Sequence, residues 1–472
     1  MANKPKRDLT DGPLFLPMIG FVVPIILTGM LQMLYNMADN IAVGQFSGDN
    51  LALAAVGSTT SLSNLIVNLL MGIGGGAGVV IAQNYGAKEY DKLSRAVHTS
   101  MAFSLIGGFA FCIFGLLISR PALMLMGTKD ELMSRALLYM RIICLGIPAS
   151  AVYNFGAASL RSVGDSKTPL FILSSTGLIN VLLNLFFIFV CNMSVGGVAL
   201  ATIIAQYISA TLVVTVLIKR KNQPYNLNLK RLKIDKELLK QILKLGLPAG
   251  FQGTLFSISN IILTAGMNSL ATTDIAGKTI AINIESLVYT AMNAYLHAAM
   301  TFTGQNYGAK KPERIKKSII YAILQVTVIG IVGGQIVMLF GEQLANFYID
   351  PTDPDKDAVM AAALQLMNFM LSCYFLCGIM DTISGVLRGL GYSMIPMFAS
   401  IGSICVLRAI WVFFVFPMDR FHSLIGIYTI YPISWSLGII TMIIALLIVY
   451  KRVMRKLEPI PKNDDKGVSA LN

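Results

Sequence analysis

Acidic and amide side chains placed inside apolar runs are the residues of this chain best suited to chemistry. Asp39 follows Tyr35, Asn36, Met37 and Ala38, and Gln32 and Tyr35 stand seven and four residues before it, on the same helical face. That stripe is too polar for lipid; the plainer reading makes Asp39 a cap near the membrane interface. Asn180 and Asn184 share a second face, and Thr202 lies in the next apolar run. One carboxylate with amide and hydroxyl oxygens can ligate a hard cation or relay a proton. The same amides and hydroxyl can equally serve as hydrogen bonds between helices, worth about 0.6–2 kcal/mol each.

Glu285 sits at the middle of a later apolar run, with Asn283 beside it and Tyr289 and Asn293 four and eight residues on. A charged group in the bilayer costs about 2.5–3.5 kcal/mol on insertion scales, so it persists where it meets water, a partner or a charged ligand. Glu285, Tyr289 and Asn293 on one face therefore suggest the wall of a cavity for a cationic ligand. Asp381 either joins that cavity or pairs with Arg388 seven residues later, and the spacing favours the ion pair. Arg141 and Arg408 are the basic groups inside apolar runs.

The elements that position these residues follow from composition. Charged residues make up 13% of the 472-residue chain and hydrophobic ones 55%; a soluble surface cannot be built from so little charge. A span needs about 20 apolar residues. The chain offers twelve, at 14–38, 51–82, 96–119, 132–157, 169–191, 196–218, 241–266, 276–303, 318–341, 358–386, 393–416 and 427–450. Each must be helical, because backbone groups in lipid have to bond within their own segment. The amino terminus shows no cleavable signal pattern.

The net charge of +13 does not point to nucleic acid. Lys and Arg gather in every second loop, the pattern of cytoplasmic loops, and this places both termini in the cytoplasm of a cell inner (plasma) membrane. The acidic run Asp350, Asp353, Asp355 and Asp357 then lies outside and reads as a solvated loop. The basic linker could rest on anionic lipids through Leu232, Leu238, Leu239 and Ile242, although a plain connector suffices. Six cysteines in or beside apolar runs read as small core residues. The 25 methionines suit an adaptable binding surface or ordinary membrane core. The sequence lacks a Walker motif, a His/Cys metal cluster and a nucleophile elbow, so an enzyme is not expected and no cofactor is called for. Gly72 to Gly78 is glycine-rich within a span and reads as close helix packing.

The chain is also a duplication. Gln-Asn-Tyr-Gly-Ala-Lys stands at 83–88 and again at 305–310. Leu160-Arg161-x-x-Gly164-x-Ser166-x-x-Pro169 is matched by Leu387-Arg388-x-x-Gly391-x-Ser393-x-x-Pro396, Pro24 by Pro248, and Gly197 by Gly426. Six spans per half is an even number, so the halves share one orientation and a pseudo-two-fold axis along the membrane normal. The expected architecture is an all-α integral membrane protein of twelve transmembrane helices in two six-helix lobes. Residues 1–13 form a cytoplasmic amino terminus, 14–218 one lobe, 219–240 a linker, 241–450 the second lobe and 451–472 a cytoplasmic tail. Nothing demands more than a monomer.

Together, Asp39-x-x-x-x-Gly44, the paired Gln-Asn-Tyr-Gly-Ala-Lys loops and the paired Leu-Arg-x-x-Gly loops resemble the multidrug and toxic compound extrusion (MATE) family. The resemblance covers residues 14–450. It implies a V of two lobes with a central cavity that opens to each side in turn. It also implies export of organic, often cationic, compounds driven by inward flow of Na⁺ or H⁺. Asp39 matches the family's first-helix carboxylate, and Asn180, Asn184 and Thr202 match the positions around it, where some members ligate Na⁺. Many members have Asp where this chain has Asn184, so weaker or more proton-like coupling is expected. Phe256 replaces a seventh-helix carboxylate, so a second cation site is not carried over. Glu285 resembles an acid in a branch of bacterial exporters, which implies a substrate cavity of Glu285, Gln32, Tyr35, Asn36, Asn283, Tyr289, Asn293 and Asp381. The alternative is a lipid-linked precursor flippase of related architecture, whose anionic cargo would want a basic cavity.

Overall fold

The computed structural model describes residues 9–46, 52–350, 352 and 354–457. Asp353 and most of the expected tail lie outside them. Among the described residues there is no strand. The first half comprises α1 (Phe15–Phe46), α2 (Ala52–Gly86), α3 (Tyr90–Leu125), α4 (Asp130–Ser162), α5 (Lys167–Leu185) and α6 (Val195–Lys219). The second half begins with α7 (Lys236–Met267), α8 (Thr272–Gly308), α9 (Pro312–Leu339) and the short α10 (Gly341–Asn346). It continues with α11 (Lys356–Cys373), α12 (Phe375–Gly389), α13 (Met394–Ser400), α14 (Leu407–Ile410), α15 (Leu424–Tyr428) and α16 (Ile430–Leu457).

Among the described residues, nine helical segments are long and apolar enough to cross a membrane, and α11 with α12, bent by 45°, makes a tenth. The chain is a multi-pass membrane protein. Two of the twelve expected spans, α7 and α8, miss the apolar criterion. They are long, at 32 and 37 residues, but the middle of α7 carries Gln252, Thr254, Ser257, Ser259 and Asn260, and α8 carries Lys278, Asn283, Glu285 and Asn293.

Several helices overrun the apolar stretches that announced them, because intrahelical bonding continues into water once a helix is nucleated. Gln83–Gly86 and Gln305–Gly308 therefore close α2 and α8 instead of lying in loops, and Arg161 sits in the last turn of α4. Cys191 is exposed at the end of a π-helical turn after α5, not in the core.

The duplication is visible atom by atom at one end of the molecule. Gln83 Nε2 donates to the Gly389 carbonyl at 2.8 Å, and Gln305 Nε2 donates to the Ser162 carbonyl at 2.6 Å. A Cβ on Gly86 would overlap the Gln305 carbonyl, and one on Gly308 would overlap the Gln83 carbonyl. Each repeat copy thus packs against its twin. Lys88 and Lys310, the last residues of the two copies, both take positive φ, at 59° and 55°.

α1 and α7 each join both halves. Leu14, Met18, Phe21 and Val22 of the α1 start are buried in the second-half core, whereas Ala42 and Val43 pack with Val56, Ile188, Val195 and Val198 of the first half. Conversely, Leu238, Ile242 and Leu245 of the α7 start belong to the first-half core, and Leu263 and Met267 to the second. The starts are anchored reciprocally as well: Asp11 pairs with Lys311 and Asp235 with Arg95. Hydrogen bonding and the charge of Lys311 hold the Asp11 carboxyl below its ordinary range.

Of the four apolar residues expected on one amphipathic helix, Leu238, Leu239 and Ile242 stand in the first turns of α7 and Leu232 precedes it. Of the linker before it, only Leu229–Arg231 forms a 3₁₀ turn, and the segment straps the end of the first half. Tyr225 and Leu227 are buried, and the Asn228 N–H donates to His98 Nε2 at 3.0 Å. Arg220 pairs with Asp165. Burial alone would raise the Asp165 carboxyl, but hydrogen bonds from Thr168 and Arg220 outweigh it and hold it below the ordinary range.

Candidate functional site

In the first half, α1 brings Asp39 against α5 and α6. Asn184 Nδ2 donates to Asp39 Oδ1 at 2.5 Å, and the Thr202 hydroxyl, which donates to the Val198 carbonyl at 3.0 Å, lies beside the same carboxyl. The Asn184 Oδ1 atom is buried without a hydrogen-bond partner among the described residues. Such an orphaned oxygen is unusual in a buried site. Asn180 is buried one turn earlier on α5. Tyr139 of α4 lies within electrostatic reach of Asp39 and packs against the same apolar cluster; nothing in the sequence spacing tied it to Asp39.

Tyr35 sets the register of this site. Its hydroxyl donates to the Ser174 carbonyl of α5 at 3.1 Å, and its ring occupies the space where a Cβ on Gly177 would lie. It therefore pins α1 to α5 and lines none of the cavities described below. Asn36 and Asn283 are exposed on their helices and line none of them either. These three were expected in the substrate cavity. Helical spacing places residues on a face but does not say which neighbour the face meets.

A cavity of about 380 Å³ lies between the halves, lined by Gln32, Asn154, Arg161, Tyr289, Asn293 and His297 among others. Arg161 and His297 are functional candidates that the sequence reading missed, the first entering it only as part of a repeated motif. The available signal was the repeat: Arg388, the twin of Arg161, also lines a small cavity beside it, again with His297.

A second chamber of about 460 Å³ lies within the second half. Glu285, Asp381, Arg408, Tyr374, Tyr431 and Trp435 line it, and Tyr289 lines both this chamber and the cavity between the halves. Asp381 lies beside Tyr289 and Asn293, and Asn293 Nδ2 donates to the Tyr289 hydroxyl at 3.4 Å. The expected Asp381–Arg388 ion pair is not among the ion pairs of the described residues. Instead Arg388 Nη2 donates to Gln252 Oε1 at 2.7 Å. The reason is tertiary: α7 brings a neutral acceptor within reach, while Arg388 remains close enough to act on Asp381 through space.

Helices long enough to cross a membrane, a cavity shared by two interlocked halves, and separate buried acids in each half define a secondary transporter. The MatE family model matches the chain twice, at residues 24–186 and 248–414. The chain belongs to that family, the multidrug and toxic compound extrusion transporters, which are not enzymes. It is 28% identical over 432 residues to the probable multidrug resistance protein YoeA of Bacillus subtilis, covering 89% of this chain and 90% of the relative. It is 24% identical over 446 residues to the multidrug export protein MepA of Staphylococcus aureus, covering 93% and 94%. Two solved structures share the fold. An outward-facing MATE family transporter of the MOP superfamily superposes with a TM-score of 0.84 at 23% identity, over 95% of this chain and 98% of that one. A MOP superfamily transporter from Pyrococcus furiosus superposes at 0.85 and 22% identity, over 96% and 98%.

Proposed function

We propose that the chain is a twelve-helix antiporter of two six-helix lobes, 14–218 and 241–450, that exports organic cations against inward flow of H⁺ or Na⁺. On this reading α7 and α8 complete the twelve spans, with the Glu285 side chain of α8 turned inward. Both termini face the cytoplasm of the cell membrane, and the working unit is a monomer.

The observation that carries the reading is the Asp39 carboxylate held by Asn184, with Thr202 beside it and Asn184 Oδ1 left free. A proton arriving there neutralises Asp39. A sodium ion would use the carboxylate and the amide oxygen, after the Asn184 amide turns, with Thr202 and Asn180 beside them. Either event weakens the bond that ties α1 to α5, and α1 also contributes Gln32 to the cavity between the halves. Ion binding is thus linked through one helix to the cavity between the halves. Each charge crossing 100 mV contributes about 2.3 kcal/mol to this exchange.

The test is cationic-dye transport in proteoliposomes under an imposed Na⁺ gradient, and separately under an imposed pH gradient. Dye movement under one gradient alone establishes antiport and identifies the ion. Movement under neither, with folded protein, refutes the proposal.

A further inference from the structure

The second-half chamber holds two opposite charges that do not meet. Glu285 is 4% exposed, and its Oε2 has no hydrogen-bond partner. Arg408 is 5% exposed. Its Nη1 donates to Asn260 Oδ1 at 3.3 Å, its guanidinium carbon stands 4.0 Å from the centre of the Tyr431 ring, and its Nε has no partner. No ion pair joins Arg408 to Glu285 among the described residues. Yet both side chains line the same chamber, so they share one compartment.

Of the other charged groups of the chamber, Lys278 Nζ donates to Thr264 Oγ1 at 3.2 Å, and Asp381 lies beside Tyr289 and Asn293 within reach of the Arg388 charge. What remains is one unsatisfied carboxylate oxygen and one unsatisfied guanidinium nitrogen in an apolar, aromatic box. Opposite charges attract strongly where water is scarce, and buried polar atoms are nearly always satisfied. A simple cation would answer Glu285 and leave Arg408 unanswered. The walls suit a flat ring system, since the Trp435 ring lies 5.6 Å from Tyr374 and 5.4 Å from Tyr431.

We propose that this chamber binds aromatic zwitterions, with an ammonium or amidinium group at Glu285 and a carboxylate at Arg408. A volume of about 460 Å³ accommodates a drug-sized ring compound, within the usual range of about 300–1,000 Å³. The inference rests on the transport reading only in taking Glu285 to face the transported compound. It adds Arg408 as the residue that determines specificity, by reading the anionic end.

The test uses the full-length protein in nanodiscs and two dyes that differ at one group. Rhodamine 110 carries a carboxylate, and rhodamine 123 is its methyl ester. Fluorescence anisotropy should show rhodamine 110 binding at least about tenfold more tightly, which is about 1.4 kcal/mol. Arg408→Gln should remove the preference by weakening rhodamine 110 alone, and Arg408→Lys should restore part of it. Glu285→Gln should weaken both dyes. Equal affinity of the two dyes for the wild-type protein, or an Arg408→Gln variant that weakens both equally, would overturn this inference and leave the transport reading standing. Binding of neither dye to folded wild-type protein would overturn both.

Discussion

The Asp39 site and the Glu285 chamber occupy the two halves of a duplicated chain, yet their linings differ. Around Asp39 the contacts are short and the partners small: an amide, a hydroxyl and the Tyr139 phenol beyond them. Around Glu285 there is room for about 460 Å³ of guest, aromatic walls and a mixed set of charges. The skeleton repeats faithfully, down to the reciprocal Gln83 and Gln305 hydrogen bonds. The contents diverge because side chains facing a cavity are free of the packing that holds a helix seam.

The seams differ too. α2 packs on α7 through Gly72 and Gly76 against Gly250 and Gly246, so closely that any Cβ there meets backbone. Close backbone approach of this kind gives a rigid helix pair. At the α1–α8 seam, Gly29 meets only the Thr290 side chain, and Thr290 Oγ1 donates to Met33 Sδ at 3.2 Å. Side chains can change rotamer where backbones cannot. The looser seam belongs to the helix that carries Asp39, which suits a moving part.

Four substitutions sharpen or break the contrast between an ion site and a ligand chamber. Asp39→Asn should abolish gradient-driven dye accumulation, a loss of about 50-fold per charge at 100 mV, while dye binding in nanodiscs changes little; accumulation equal to wild type would remove Asp39 from coupling. Glu285→Gln should do the converse, weakening cationic-dye affinity about 30-fold, or about 2 kcal/mol. Proton or sodium flux through its Asp39 site should persist. An unchanged preference for cationic over neutral dyes would show that Glu285 does not face the ligand.

Gly177→Ala places a methyl group where the Tyr35 ring lies. Overpacking of this kind costs about 1–3 kcal/mol, so thermal unfolding should occur at lower temperature and coupling should fall about tenfold. The double variant with Tyr35→Ala should recover stability, and failure to recover it would deny the contact. Thr202→Val, which removes the hydroxyl beside the Asp39 carboxyl, should have the smallest effect. A net hydrogen bond of about 1 kcal/mol corresponds to about a fivefold change in ion affinity, to be read from the gradient needed for half-maximal transport. A change in dye affinity instead would merge the two sites.

Much of this was written locally. The Asp39, Asn184 and Thr202 grouping followed from polar residues that lipid would not tolerate, together with a family resemblance. The same penalty singled out Glu285. Arg161 escaped notice because a base near a helix end looks the same in sequence whether it faces water or a cavity. Asp381 was assigned to Arg388 because same-helix spacing was the only geometry available, whereas Gln252 and Asn293 come from other helices.

The sequence by itself determined the membrane class, the helices and the duplication, because apolar length and repeated motifs are properties of the chain read in order. Only the tertiary structure decided that α1 and α7 each bridge the halves. It alone separated Tyr35 from the cavity, left Asn184 Oδ1 and Glu285 Oε2 without partners, and set Arg408 over Tyr431 in the same chamber as Glu285. Those outcomes depend on which faces of distant helices meet, and helix periodicity fixes a face without naming its neighbour.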